Sequence, residues 1–230
     1  MSLETIFPLS FYHGKLPDIS NDIHRIIREK INALLPNNLN CKQWFGDTTN
    51  NPCLHTLDEF KFITQQCEIK VKDYIDKLGF NLDELSCHHQ RSWINLIQCG
   101  GNAPPHQHKA SNLTFAYCFY KDKHSTGGNV IFDNLAYQNL IIPGIDVTTP
   151  EAQNLFKVPT QHNYTAVAIP FNTGDYLIFP SQTEHLTNVL DNTDENMIVL
   201  TYDILITTAP HVSALKYSFI PPHPLNYKEF

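Results

Sequence analysis

The chain has 230 residues, 42% of them hydrophobic and 17% charged, with a formal net charge of −7. That is enough for one domain with a substantial core. The acidic balance, without any cluster of lysine and arginine, excludes the basic stripe of a nucleic-acid-binding module. The longest basic hint, Lys121-Asp122-Lys123-His124, is interrupted by Asp122 and reads as a solvated turn. No stretch approaches the roughly 20 apolar residues of a membrane span. The start, Met1 to Pro8, lacks the basic and apolar regions of a signal peptide. The expectation is a cytoplasmic protein whose six cysteines (Cys41, Cys53, Cys67, Cys87, Cys99 and Cys118) stay reduced. No two are spaced C-x-x-C, so a structural zinc site is not signalled.

In chain order, the first elements are helical. From Asp18 to Leu35, Ile19, Ile23, Ile26, Ile27, Ile31, Leu34 and Leu35 form one apolar stripe, with Ser20 placed to cap it and Pro36 to stop it. Pro36 to Asn51 is rich in Asn and Pro and reads as loop. Thr56-Leu57-Asp58-Glu59 has the form of a capping box, opening a second helix that carries Phe60, Ile63, Cys67, Val71, Tyr74, Ile75 and Leu78 and ends at Gly79. From Ser92 the period changes to that of strands: Ser92–Gln98, Asn112–Tyr120, Asn129–Phe132, Thr165–Pro170, Asp175–Phe179, Glu184–Leu190 and Met197–Thr207. In Asn112–Tyr120, Leu113, Phe115, Tyr117 and Phe119 face one way and Thr114, Ala116, Cys118 and Tyr120 the other. Gly100-Gly101, Gly127-Gly128 and Asn172-Thr173-Gly174 punctuate the run. The expected class is mainly β with N-terminal helices packed on one sheet of a sandwich or rolled barrel. Residues 1–90 form the helical part, 91–208 the β core and 209–230 a proline-rich tail, all in one domain. Asn134 to Asn163 has the weakest pattern and reads as a lid or substrate loop, with a passive insertion as the alternative.

The residues that carry chemistry are histidines. His106 and His108 stand two apart in Pro104-Pro105-His106-Gln107-His108; on a strand such residues share a face and can clamp one metal ion. His185 follows a strand and a turn in Gly174-Asp175-Tyr176-Leu177-Ile178-Phe179-Pro180-Ser181-Gln182-Thr183-Glu184-His185 and supplies a third ligand from the mouth of the fold, where it carries little core packing. A facial triad with open positions is what a non-haem Fe(II) oxygenase needs, although a carboxylate more often takes the third position. His88 and His89, beside Cys87, suggest a second cluster, but adjacent strand residues point to opposite faces. No nucleophile elbow, Walker or Rossmann glycine pattern is present.

In their order, Trp93-Ile94-Asn95, Pro105-His106-Gln107-His108, the Thr114–Tyr120 strand, Thr126-Gly127-Gly128-Asn129-Val130-Ile131-Phe132 and Gly174 to His185 resemble the 2-oxoglutarate/Fe(II)-dependent oxygenases, and most of all a prolyl-hydroxylase-like branch of marine bacteria and phages. The resemblance spans roughly residues 5 to 205. It implies a double-stranded β-helix, a jelly-roll barrel like that of cupins. It implies Fe(II) held by His106, His108 and His185, 2-oxoglutarate as co-substrate, dioxygen as oxidant, and a small molecule or a protein side chain as substrate. His108 falls where the family usually has a carboxylate. The arginine that usually clamps the far carboxylate of 2-oxoglutarate is missing: no Arg or Lys lies between Leu186 and Pro210. In jumonji-type relatives a lysine on a middle strand does this work, and Lys121 stands at a matching distance after His106, although simple alternation aligns it with Leu113 and Phe119 rather than with the cavity wall of Thr114, Ala116 and Cys118. Lys109 and Arg91 are the other nearby cations. Asn95, Tyr120 and Lys121 are the candidates for contact with the co-substrate. Alternatives are a three-histidine, cupin-like dioxygenase that uses no 2-oxoglutarate, and a jelly-roll module without catalysis.

Overall fold

The computed structural model describes residues 9–35, 53–133, 155, 157, 166–213 and 216–228. The expected loops Pro36 to Asn51 and Asn134 to Asn163 lie outside the described residues, apart from 155 and 157. An edge strand, β1 (Tyr12–Lys15), comes first. It carries no apolar alternation and was not expected from the sequence. Helix α1 (Asn21–Leu34) follows, capped by Ser20, whose Oγ accepts from the Ile23 N–H at 3.3 Å. The expected capping box at Thr56 does not form. Thr56 ends a short 3-10 turn and its hydroxyl donates to the Cys53 carbonyl at 2.8 Å, while α2 (Lys61–Lys77) starts after a second 3-10 turn, Asp58–Phe60. The far end is as the glycine indicates. Gly79 has φ +84°, and its N–H and that of Phe80 close on the carbonyls of Asp76 and Ile75.

The strands after α2 are β2 (Leu85–Ile97), β3 (Ala103–His106), β4 (Leu113–Tyr120), β5 (Thr126–Gly127), β6 (Val130–Asp133), β7 (Ala166–Ile169), β8 (Asp175–Pro180), β9 (His185–Thr187), β10 (Leu190–Asp191) and β11 (Met197–Thr208). Every pairing between these strands is antiparallel. They make a five-stranded sheet in the order β1-β8-β4-β11-β2, a four-stranded sheet β3-β9-β6-β7 and the short pair β10-β5. The mostly antiparallel arrangement with few helices is consistent with a jelly roll. β3 escapes a sequence reading because Pro104 and Pro105 argue against a strand; both are tolerated here because β3 is an edge. The expected strand Glu184–Leu190 is broken in two, and β2 begins seven residues before the expected Ser92, through a polar stretch.

Two apolar layers flank the larger sheet. On one face Ile27 and Ile31 of α1 and Ile63, Cys67, Val71, Tyr74 and Ile75 of α2 pack with Phe115, Tyr117, Phe119, Ile178, Leu200 and Tyr202. On the other, Ala116, Cys118, Leu177, Phe179 and Val199 meet Val130 and Phe132 of the smaller sheet. The alternation read in Asn112–Tyr120 therefore holds as far as Phe119 and fails at Tyr120, and β4 is buried on both faces because helices cover one and a second sheet the other. No helix among the described residues is long and apolar enough to cross a membrane.

Two β-bulges re-aim side chains of the larger sheet. Val199 pairs with Cys118 but Ile198 with Tyr120, so Phe119 is an extra residue in β4. Phe119 and Tyr120 both turn to α1, where they meet His24 and Arg28. Lys121 is thereby returned to the inner face, the reverse of simple alternation. Likewise Asp203 pairs with Arg91 but Ile204 with His89, so Gln90 is extra in β2. His89 turns toward Tyr202 and α2, and Arg91 toward the inner face.

Candidate metal centre

His106 is the last residue of β3 and pairs directly with His185, the first of β9. His108 lies beyond the end of β3, so its position is not set by strand alternation as the i, i+2 argument supposed. A turn holds it instead: its N–H donates to the Ser181 carbonyl at 2.9 Å, and its carbonyl accepts from Ser111. The three imidazoles offer ligand atoms that all lie within 4.8 Å of one another. Their ring centroids are 4.3 to 5.3 Å apart.

Each ring is fixed by its Nδ1. That of His106 faces the Pro104 carbonyl at 2.8 Å, that of His185 the Thr183 carbonyl at 2.9 Å, and that of His108 the Asp203 carboxylate at 2.6 Å. A carbonyl or carboxylate can only accept, so each Nδ1 carries a proton, and in the neutral ring Nε2 keeps its lone pair, the form in which imidazole binds metal. Burial lowers the pKa of His106 and takes that of His185 to about 3, so both rings are neutral at neutral pH. The donor set fits a divalent transition metal. His185 is less peripheral than a mouth residue should be. It is 7% exposed and packs against Phe179 and Phe132 at 4.7 and 6.3 Å, which corrects the expectation that it carries little packing.

A cavity opens beside the triad. Asn95, Thr114, Thr187 and Thr201 are its other polar residues; Ile97, Ala103, Ala116, Val130, Phe171, Phe179 and Val199 make its apolar wall. Asn95 accepts from the Trp93 indole at 2.9 Å and donates to Thr201 at 2.8 Å. Thr114 and Ala116 line the cavity as expected, whereas Cys118 is fully buried in the inter-sheet core behind it. Among the described residues no lysine or arginine lines this cavity. Lys121 is buried but is not among the lining residues: a Cβ on Gly128 would touch Lys121 Cε, Met197 and Leu190 together. Its ammonium donates to the Gly127 carbonyl at 2.7 Å, and among the described residues no carboxylate lies within 4 Å of it. Tyr120 stands on the opposite face, its ring 4.4 Å from the Arg28 guanidinium. Lys109 is exposed.

The residue that sequence reading missed is Asp203. It is fully buried on β11, between His108 and the Arg91 guanidinium, which reaches its other oxygen at 2.7 Å. Burial raises its pKa, but the bonds from His108 and Arg91 outweigh this and hold it below the ordinary value. One signal was available, a lone carboxylate inside the otherwise apolar and hydroxylic run Met197–Thr208. His88 and His89 do diverge as adjacent strand residues should. His88 bonds Thr207 and meets His223 edge-on, while His89 meets Glu68 and stacks on His55.

The histidines give the fold an acid limit. His24, His55, His88, His89, His106 and His185 all have pKa values lowered below 6.5, burial being the largest cause in each. The unfolded chain takes up protons near 6.5 that the folded chain refuses. Stability is therefore whole above that pH and is lost progressively as pH falls below it. Thermal unfolding of the metal-free protein, followed from neutral pH to about pH 5, should show a falling midpoint; a flat profile would contradict the burial of these rings.

No family model matches the chain, and no curated protein matches it in sequence. Solved structures do match its fold. One is an oxidoreductase of the 2OG-Fe(II) oxygenase family from Burkholderia pseudomallei, at 12% identity and TM-score 0.50, with 84% of each chain covered. AviO1 from Streptomyces viridochromogenes Tue57 aligns over 94% of this chain and 93% of its own, at 11% identity and TM-score 0.50. SnoN, a non-heme alpha-ketoglutarate-dependent epimerase from nogalamycin biosynthesis, covers 90% of this chain and 84% of its own, at 12% identity and TM-score 0.51. At this identity the likeness is one of fold.

Proposed function

We propose that the chain is a single-domain, cytoplasmic, non-haem Fe(II) oxygenase of the double-stranded β-helix type, with 2-oxoglutarate as co-substrate and hydroxylation of an unactivated C–H bond as its reaction. The motif order is what supports placing it in the prolyl-hydroxylase-like branch. The observation that carries the reading is the convergence of three imidazoles, each tied at Nδ1, with ligand atoms within 4.8 Å of one another. The fold shared with the Burkholderia oxygenase and with SnoN supports it.

His106, His108 and His185 would hold the metal through Nε2. Fe(II) and 2-oxoglutarate, when bound, would supply the oxidant from dioxygen, one oxygen atom entering the succinate formed as the acid loses CO₂ and the other going to the substrate C–H bond. Asn95, Thr114 and Thr201 give the cavity hydrogen-bonding groups that orient what enters it. The apolar wall of Ile97, Val130, Phe171, Phe179 and Val199 keeps water from the reacting region. Lys121 is our candidate for the far carboxylate of the co-substrate: a buried cation without an ion-pair partner among the described residues, aimed inward by the Phe119 bulge.

Anaerobic titration with Fe(II) and then 2-oxoglutarate tests this. A weak visible charge-transfer band on adding the acid is the expected result. Fe(II) binding without the band would favour a three-histidine dioxygenase that needs no 2-oxoglutarate, a reading that the absence of lysine and arginine from the cavity lining among the described residues also favours. Failure to bind metal would leave a non-catalytic jelly roll. Lys121→Ala should weaken 2-oxoglutarate about 10- to 100-fold, the loss of one charged hydrogen bond, and leave the Fe(II) dissociation constant unchanged. Equal affinity for the acid in both proteins would remove Lys121 from the site.

A further inference from the structure

We infer that Asp203 is the positioning carboxylate of the metal centre: by accepting the Nδ1 proton of His108 it fixes that ring with Nε2 toward the metal, and it brings a negative charge next to a ligand set that has none. The inference rests on reading the triad as a metal centre.

Three features single Asp203 out. First, His106 and His185 give their Nδ1 protons to neutral backbone carbonyls, whereas His108 gives its proton to a carboxylate, at 2.6 Å. A charged acceptor makes the shorter and stronger bond and raises the basicity of the other ring nitrogen. Second, His108 sits past the end of β3, where no ladder orients its ring; side chains do so instead. Thr114 Oγ1 lies 3.2 Å from the same Nδ1, 2.9 Å from Ser181 Oγ and 3.4 Å from Asp203 Oδ1, and Ser111 donates to Ser181 at 2.8 Å. Third, the carboxylate is itself held. Arg91, aimed inward by the Gln90 bulge, binds its second oxygen at 2.7 Å and spreads over the Trp93 ring at 5.6 Å. The Arg91 side chain is 47% exposed whereas Asp203 is fully buried. Water therefore screens the guanidinium far more than the carboxylate, and the field at His108 stays negative. Three neutral imidazoles leave both charges of a divalent ion uncompensated. Asp203 offsets part of that charge from one bond further out.

The test compares Co(II) binding by the wild-type chain, Asp203→Asn and Arg91→Gln, with thermal unfolding of each metal-free protein alongside. Asp203→Asn should bind Co(II) about 10- to 100-fold more weakly, the usual effect of losing an outer-shell partner, and should shift the visible Co(II) bands. Arg91→Gln, which keeps the carboxylate, should bind Co(II) with a loss of no more than a few-fold. An Asp203→Asn protein with wild-type affinity and spectrum would overturn the inference and leave the metal centre standing. A wild-type chain that does not bind Co(II) would overturn both. If Asp203→Asn does not fold, because it leaves the Arg91 charge poorly matched, the wild-type protein still decides. A long-range ¹H–¹⁵N spectrum of its Zn(II)-loaded form should place the His108 proton on Nδ1 with a strong downfield shift. A proton on Nε2 would sink the assignment.

Discussion

His185→Ala should bind Fe(II) or Co(II) at least about 100-fold more weakly than the wild-type chain, beyond the usual effect of losing an outer-shell partner. The reason is geometric. Two rings alone, His106 on β3 and His108 on the turn after it, approach the metal from one stretch of chain, and His185 closes the site from β9 opposite. The substitution also opens a hole between Phe179 and Phe132, so a loss of roughly 2 kcal/mol or more of stability accompanies it. His106→Ala separates the two effects. His106 is only partly buried, so metal binding should weaken with a smaller fall in stability. Isothermal titration of both variants, with unfolding curves, checks this pair of outcomes. Retained metal affinity in either would remove that residue from the ligand set.

The second large effect belongs to the layer that holds the larger sheet to its helices. Phe115 is fully buried on β4, stacked with Tyr176 at 5.7 Å and edge-on to Tyr202 at 5.8 Å. It belongs to the apolar cluster that the buried residues of α1 and α2 share with this face of the sheet. Phe115→Ala should cost about 3–5 kcal/mol in urea unfolding, the range for deleting a large aromatic ring from a close-packed core. The metal affinity of the folded fraction should be unchanged, because Phe115 faces away from Thr114, Ala116 and the triad. A cost under about 1 kcal/mol would mean that the cluster repacks.

Much of this was legible from residue order alone. The alternation of Leu113 to Tyr120 named both faces of the central strand, and the isoleucine stripe with Ser20 placed the first helix to within a few residues. The triad was legible because H-x-H and a histidine after a strand and turn are short-range patterns. What escaped depends on pairing between strands distant in sequence. A bulge is a mismatch between two strands, and neither strand records it. So the inward turn of Lys121 after Phe119, and of Arg91 after Gln90, had no sequence signature. Asp203 escaped for a related reason: its partner His108 is 95 positions away, and only the β11–β4 register brings the two together. β3 was missed because its prolines count against a strand unless the strand is known to be an edge.

X-ray absorption at the iron edge of the anaerobic Fe(II)-loaded wild-type protein tests the central claim most directly, since it counts the imidazoles on the ion. Three imidazole nitrogens in the first coordination sphere, falling to two in His106→Ala, is the predicted result. A sphere with one imidazole or none, or one that His106→Ala leaves unchanged, would contradict the account.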